Sequence, residues 1–397
     1  MNVLQITNTV CSDSNQPTGV NRVVTQLSEY WVDSFHDQNY QAYFCEDGGI
    51  SPLFKASYLL SNPLDDTSFE AFLIENQIDV ILFNFAAKQM LGILKEVCRI
   101  ARKHNIRVVY CLHFMPGYEG CSYGSFEEFQ YSIISRKAVL DKLKKWVISL
   151  SKPFSTKMIQ WMLKRKYELA YLECDKVVVF SEPYIDEFLR IVRGNKREKF
   201  TVIPNPLSFS DFLSEELLKT KKKEVIYVGR FQESQKKVSA ALKVWRLVER
   251  NSLLDEWTLN IVGSGKDESF YRWLVKKYHL KRVSFEGRQD PKPYYRRASI
   301  MMSTAAYEGW PMVMMEAMPM GCCCLGFDSY DAIHDIIEDG VNGRIIPNND
   351  IKGYYQALSD LMQDENKRIA IGKSAIESSK RFSMDIIGKK WRDVLVG

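Results

Sequence analysis

Two glutamates, Glu308 and Glu316, stand eight positions apart around a Gly-Trp-Pro turn in YEGWPMVMMEAMPMG, residues 307–321. A carboxylate accepts hydrogen bonds at both oxygens, so each can hold a pair of neighbouring hydroxyls, as on a ribose or a sugar ring. Pro311 suits the first turn of a helix, where its missing N–H is no loss. The segment therefore reads as a loop entering a helix, with backbone N–H groups open between Trp310 and Val313, Met312 included, and such an end attracts anions. Arg230, followed six residues on by Lys236 in GRFQESQKK, brings fixed positive charge from another loop. Spacing favours Lys236 over the adjacent Lys237. Together these groups suit a diphosphate, with Glu316 left for ribose hydroxyls and Glu308 for a sugar ring. A nucleoside diphosphate-sugar satisfies all of them at once.

Side chains so far apart in sequence need a scaffold that brings them together. Apolar runs that read as buried parallel strands (NVLQIT, DVILFNF, RVVYCLHF, KVVVFS) alternate with amphipathic segments such as GVNRVVTQLSEYWVD. The rhythm restarts after Pro204 with EVIYVGRF, WTLNIVGSG, RVSFEG, SIMMSTA and CCCLGF. The expected fold class is α/β, with two Rossmann-like parallel-sheet domains facing across a cleft. In such sheets ligands bind beyond the carboxyl ends of the strands. Those exits carry Gly19, His113, Ser181, Asn205, Arg230, Gly263, Gly265, Gly287 and Glu308. We expect domains at 1–206 and 207–376, with 377–397 as a helix crossing back to the first domain. An oversized connection at about 115–170 is basic and tryptophan-bearing, with Lys142, Lys144 and Lys145 beside Trp146, and Trp161 further on. It reads either as a solvated helical pair or as a patch that lies on an anionic membrane surface.

Bulk properties narrow the classes. A length of 397 residues with 46% hydrophobic content fits two globular domains. A net charge of +5 is too small to argue for nucleic acid. No stretch approaches the roughly 20 apolar residues of a membrane span, and the N-terminus lacks a signal-sequence pattern. The nine cysteines show no disulfide-framework spacing. We expect free thiols and a cytoplasmic protein, peripheral on the inner face of the membrane if the basic insertion docks there. The methionines at 312, 314, 315, 318 and 320 read as packing, and consecutive Cys322, Cys323 and Cys324 alternate faces, so they cannot form one metal cluster.

The segment EGWPMVMME resembles the E-x7-E motif of retaining glycosyltransferases of the GT-B fold, and the chain as a whole is similar to glycosyltransferase family 4. The similarity runs through VGRF plus a lysine, VIPNP, VVVFSE, IVGSG, FEGR and DGVNGRI in that family's order. It implies that Glu308 contacts the transferred sugar, Glu316 the ribose, Arg230 and Lys236 the diphosphate, and His113 the sugar from the N-terminal domain. PTGVNR, with Gly19, looks like the family's loop over the phosphates. The implied catalytic set is Glu308, His113, Arg230 and Lys236. The donor-binding set is Gly19, Arg230, Lys236, Arg288, Glu308, Trp310, Pro311, Met312, Val313 and Glu316.

The resemblance also implies retention at the anomeric carbon, with the departing phosphate taking the acceptor's proton. The sequence has no Asp-x-Asp to hold a metal on a diphosphate, so no metal or cofactor is expected beyond the nucleotide-sugar donor, UDP- before GDP-. The expected partners are that donor and a saccharide or lipid-linked saccharide acceptor of a bacterial envelope polymer. The rival readings are a nucleotide-sugar 2-epimerase of the same fold and a non-catalytic sugar-nucleotide-binding protein. Two departures from the family pattern stand out. Pro319 must end the helix soon after Glu316, and DSYDAIH lacks an expected glycine.

Overall fold

The computed structural model describes residues 1–9, 11, 19–45, 51–84, 90–118, 130–131, 158 and 160–397. Two compact units divide the chain. One comprises Met1–Glu119, Met158–Pro206 and Phe382–Gly397, the other Gly120–Lys157 and Leu207–Arg381.

In the first unit seven parallel strands form one sheet: β1 (Asn2–Thr9), β2 (Gln38–Cys45), β3 (Phe54–Leu59), β4 (Val80–Phe83), β5 (Arg107–Cys111), β6 (Lys176–Val179) and β7 (Phe200–Val202), in the order β3-β2-β1-β4-β5-β6-β7. Strand β4 is apolar throughout because both of its faces are covered; Ile81, Leu82 and Phe83 are fully buried. The order reverses direction between β1 and β4, so the carboxyl ends of these two strands flank the natural place for a ligand. Phe382–Gly397 belongs to this unit. Its Met384–Val396 helix lies by the Gly19–Phe35 helix, where Trp31 Nε1 donates to the Gly388 carbonyl at 3.2 Å.

The second unit holds six parallel strands: β8 (Lys222–Val228), β9 (Thr258–Val262), β10 (Val283–Gly287), β11 (Ala298–Ser303), β12 (Cys323–Asp328) and β13 (Gly343–Pro347), in the order β10-β9-β8-β11-β12-β13. Here β8 and β11 are the neighbours at the reversal. The core joins strand residues such as Val225, Leu259 and Ile300 to Trp245 and Tyr354 from the covering helices. Fully burying each such side chain contributes on the order of 1.5–3 kcal/mol.

Strands β2, β3, β7 and β13 were absent from the pattern of apolar runs. QNYQAYFC carries Gln38, Asn39 and Gln41, of which Asn39 and Gln41 are buried. Each donates one side-chain bond, Asn39 Nδ2 to the Ser28 backbone carbonyl at 3.0 Å and Gln41 Nε2 to Thr7 Oγ1 at 2.9 Å. Buried amides with partners keep a strand viable that hydropathy alone does not register. Strand β3 lies at the sheet edge, with Leu59 53% exposed.

The basic insertion lies mostly outside the described residues, including Lys142, Lys144, Lys145 and Trp146. Tyr131 packs against Phe270 and Trp273 in the second unit. Among the described residues no helix is long and apolar enough to cross a membrane.

Candidate functional site

In the second unit the exits of β8, β9 and β10 lock together through backbone. Phe231 N–H donates to the Ser264 carbonyl at 2.9 Å, Gly229 N–H to Val262 at 3.1 Å, and Gly263 N–H to Gly287 at 2.7 Å. Glycine is required for this approach. Gly263 (φ +146°) and Gly265 (φ +158°) hold conformations that disfavour a side chain, and a Cβ on Gly263 would sit 1.9 Å from the Gly229 carbonyl oxygen. The VGSG motif therefore serves as a brace that holds the loop bearing Arg230.

That loop turns into a short helix, Glu233–Lys236, then breaks at Lys237 (φ 48°) before the Val238–Val248 helix. The turn is held from below. Fully buried Glu233 accepts from Ser239 Oγ at 2.5 Å and from Ser239 N–H at 3.3 Å, capping the longer helix, while its own N–H donates to Asp267 Oδ2 at 2.7 Å. Tyr227 Oη donates to the Lys236 carbonyl at 2.6 Å, and Thr304 Oγ1 to that of Lys237 at 2.8 Å. Burial pushes the Tyr227 phenol well up, so it remains a donor.

So placed, the Lys236 ammonium pairs with Glu308 Oε1, on the loop after neighbouring β11. Only 14% and 9% of the two side chains are exposed. Gln235 completes the group: its Nε2 donates to Glu308 Oε2 at 3.2 Å and to the Tyr307 backbone carbonyl at 3.4 Å, and its own backbone carbonyl accepts from Ala306 N–H at 2.7 Å. Gln235 was not singled out from sequence, although its place beside Lys236 in one turn was the available signal. Lys237 makes no ion pair among the described residues.

Glu316 is buried in the Met312–Ala317 helix and is already engaged. Its Oε1 accepts from Ser208 Oγ at 3.0 Å and its Oε2 from Tyr295 Oη at 3.2 Å. Burial, and then the charge of Glu316, hold the Tyr295 phenol protonated. Ser208 and Tyr295 are distant in sequence, which hid them from motif reasoning. The helix has six residues and ends two before Pro319. The open N–H groups expected between Trp310 and Val313 are thereby reduced. Pro311 has none, and Met312 N–H is folded back onto the Trp310 carbonyl at 2.9 Å. So short a helix has little dipole to offer an anion.

Arg230 is exposed at the exit of β8, and no ion pair is recorded for its guanidinium among the described residues. Arg288 is exposed just beyond β10. In the first unit, Gly19 opens the Gly19–Phe35 helix, is exposed, and has nothing within 4 Å of where a Cβ would stand. The PTG residues before it lie outside the described residues. His113 follows β5, half-buried, with Nε2 3.0 Å from Asn84 Oδ1. Loss of water pushes its pKa down to about 4, so the imidazole is neutral at ordinary pH. Cys11, Cys98, Cys111, Cys174, Cys322, Cys323 and Cys324 are free and buried; Cys322 Sγ and Cys323 Sγ face different carbonyls, those of Tyr295 and Arg368.

Residues 209–378 match the model of the family Glycosyl transferases group 1. This group 1 segment contains Arg230, Gln235, Lys236, Arg288, Glu308 and Glu316. The chain is 29% identical over 177 residues to the amylovoran biosynthesis glycosyltransferase AmsD of Erwinia amylovora, covering 44% of this chain and 48% of that protein. It is 25% identical over 235 residues to a GalNAc-alpha-(1->4)-GalNAc-alpha-(1->3)-diNAcBac-PP-undecaprenol alpha-1,4-N-acetyl-D-galactosaminyltransferase of Campylobacter jejuni, covering 58% and 62%. The matches thus span only about half to three-fifths of these relatives. Among solved structures, Anabaena HepE in complex with UDP superposes with a TM-score of 0.73 at 16% identity over the whole of both chains. At that identity the likeness is one of fold: two Rossmann-like parallel-sheet domains of GT-B architecture. The family model and the relatives support a glycosyltransferase of that fold.

Proposed function

We propose that this chain transfers a sugar from a nucleoside diphosphate donor, UDP- before GDP-, to a saccharide acceptor, with retention at the anomeric carbon and without a metal. The observation that carries this reading is the buried Lys236–Glu308 pair braced by Gln235, at the exits of adjacent strands and within the group 1 segment. A free carboxylate and a free ammonium at this depth are each costly, and together they are neutral. An incoming diphosphate competes for Lys236, and Glu308 Oε1 is then released to accept from a sugar hydroxyl. Arg230, exposed on the same loop, adds a second cation for the leaving group.

The acceptor hydroxyl oxygen bonds to the anomeric carbon while the bond from that carbon to the diphosphate breaks. The hydroxyl proton passes to the departing diphosphate, so no separate protein base is required. Glu308, oriented by Gln235, binds most strongly as the sugar gains positive charge. Metal independence rests on the two cations and on a sequence without Asp-x-Asp.

The test is to incubate the full chain with labelled UDP- and GDP-sugars and acceptor saccharides, with EDTA present, and to read anomeric configuration by NMR. Transferred sugar with the donor's configuration supports the reading. An inverted product, or transfer only with added Mg²⁺ or Mn²⁺, overturns the mechanism; an epimerised sugar, or a donor bound but unchanged, replaces it with a rival.

For the acceptor we propose a lipid-linked or membrane-presented saccharide of a bacterial envelope polymer, met at the cytoplasmic membrane face. At the described end of the basic insertion Trp161 is 61% exposed and Met158 54%, with the Arg165 guanidinium 5.7 Å from the Trp161 ring centre. A cation beside an exposed indole suits an anionic lipid interface. Flotation with anionic but not neutral vesicles, weakened by salt and by Lys142, Lys144 and Lys145→Glu, supports this; no binding at low salt sinks it.

A further inference from the structure

A chain of buried polar side chains runs through the interior of the first unit and ends at His113. Gln5, in the middle of β1, is fully buried; its Nε2 donates to Ser28 Oγ at 2.7 Å on the Gly19–Phe35 helix. Its Oε1 accepts from Asn84 Nδ2 at 2.6 Å. Asn84 stands just beyond β4, 5% exposed, its backbone N–H bonded to the Ile6 carbonyl at 2.9 Å. Its remaining carbonyl, Oδ1, faces His113 Nε2 at 3.0 Å.

The direction of the chain has a chemical consequence. A primary amide has a donor end and an acceptor end. Because Asn84 spends its NH₂ on Gln5, only its oxygen is left for the imidazole. An oxygen must receive a proton, so His113 carries N–H at Nε2. Being neutral, it has only Nδ1 left, as an unprotonated acceptor. The ring of Phe180, edge-on with centres 5.5 Å apart, limits the imidazole's rotation from another strand exit.

We propose that Asn84 and Gln5 are positioning residues for His113, fixing it as the Nε2–H tautomer so that it offers substrate a hydrogen-bond acceptor at Nδ1. Among the described residues Nδ1 has no hydrogen-bond partner. A lone pair takes a hydrogen bond from a hydroxyl and repels a phosphate oxygen. His113 therefore reads a sugar hydroxyl and does not serve as a cation for the diphosphate. The identity of that substrate rests on the glycosyl-transfer reading; the tautomer does not. Ordinary packing does not account for the arrangement, since a buried glutamine in the middle of β1, with buried Ser28 and Asn84 on either side of it, is retained only where its polar ends are satisfied.

Two measurements on the full chain test this. Long-range ¹H–¹⁵N NMR of histidine-labelled protein reads the tautomer directly, with His113→Gln assigning its signals among the five histidines. The expected result is Nε2–H in the parent protein and a mixture of tautomers in Gln5→Met. Nδ1–H in the parent overturns the proposal.

The second measurement compares kcat/KM of Asn84→Asp with the parent. An aspartate still accepts from Nε2–H but cannot donate to Gln5, and its charge favours the imidazolium, which has no free lone pair. We expect roughly a tenfold or greater loss in kcat/KM with nucleotide affinity unchanged. Gln5→Met, which leaves the site's own groups in place, is expected to lose less in the same direction. Parental kcat/KM in both variants overturns the positioning role. Should the parent show Nε2–H yet transfer no sugar from any donor, the relay stands and the transfer reading fails.

Discussion

Lys236 and Glu308, seventy-two residues apart, form an ion pair that is mostly withdrawn from water, held by Gln235 on one side and by Tyr227 and Thr304 beneath the lysine's turn. Removing one member strands a buried charge, which costs more than an exposed pair is worth.

Glu308→Gln is therefore expected to lower both turnover and the stability of the free protein, the latter by about 3 kcal/mol. Because the diphosphate no longer competes with a carboxylate for Lys236, UDP should raise the melting temperature of Glu308→Gln more than that of the parent. Differential scanning fluorimetry with and without UDP reads both effects. A smaller UDP shift in the variant would show that Lys236 does not meet the diphosphate.

Arg230→Ala should behave differently, since the guanidinium is exposed. Stability should stay within about 0.5 kcal/mol of the parent, while donor affinity and kcat/KM fall together. Unchanged donor binding by calorimetry removes Arg230 from the site.

Two glycine substitutions separate scaffold from site. Gly263→Ala forces a Cβ against the Gly229 carbonyl and should destabilise the second unit by several kcal/mol, read by urea unfolding. Gly19→Ala meets no neighbour and should leave stability intact, yet reduce kcat/KM if donor phosphates pass there. Equal stability of the two variants contradicts the bracing role of VGSG.

His113 supplies a pH dependence with a definite sign. Its pKa is about 4 in the folded state against about 6.5 unfolded, so below pH 6.5 the unfolded chain binds the extra proton. The contribution to stability is full above about pH 6.5 and is lost as pH falls toward 4, amounting to roughly 3 kcal/mol. His113→Gln should remove this component. The difference between parent and variant in unfolding free energy, followed from about pH 7 to about pH 4, isolates it; no change in that difference across the window refutes the burial effect.

The candidate site was legible in local pattern because its signals are local: a strand followed by a turn, a proline opening a helix, a carboxylate in an apolar run. Strands such as β4, β11 and β12 could be read for the same reason, since burial on both faces demands near-continuous hydrophobic sequence. β2 escaped because its buried amides look like surface residues until Ser28 and Thr7 are seen beside them.

Residue types and their spacing determined which groups could do chemistry: Glu308, Glu316, Arg230, Lys236 and His113. Only the tertiary structure decided which partners four of them take. Lys236 is closed on Glu308, Glu316 is engaged by Ser208 and Tyr295, and His113 is aimed through Asn84 by a glutamine in the centre of β1. The physical reason is that such bonds join groups from different strand exits, brought together by parallel-sheet order and not by distance along the chain. A buried charge or amide takes whichever partner that order supplies, because leaving it unpaired costs more than any local preference.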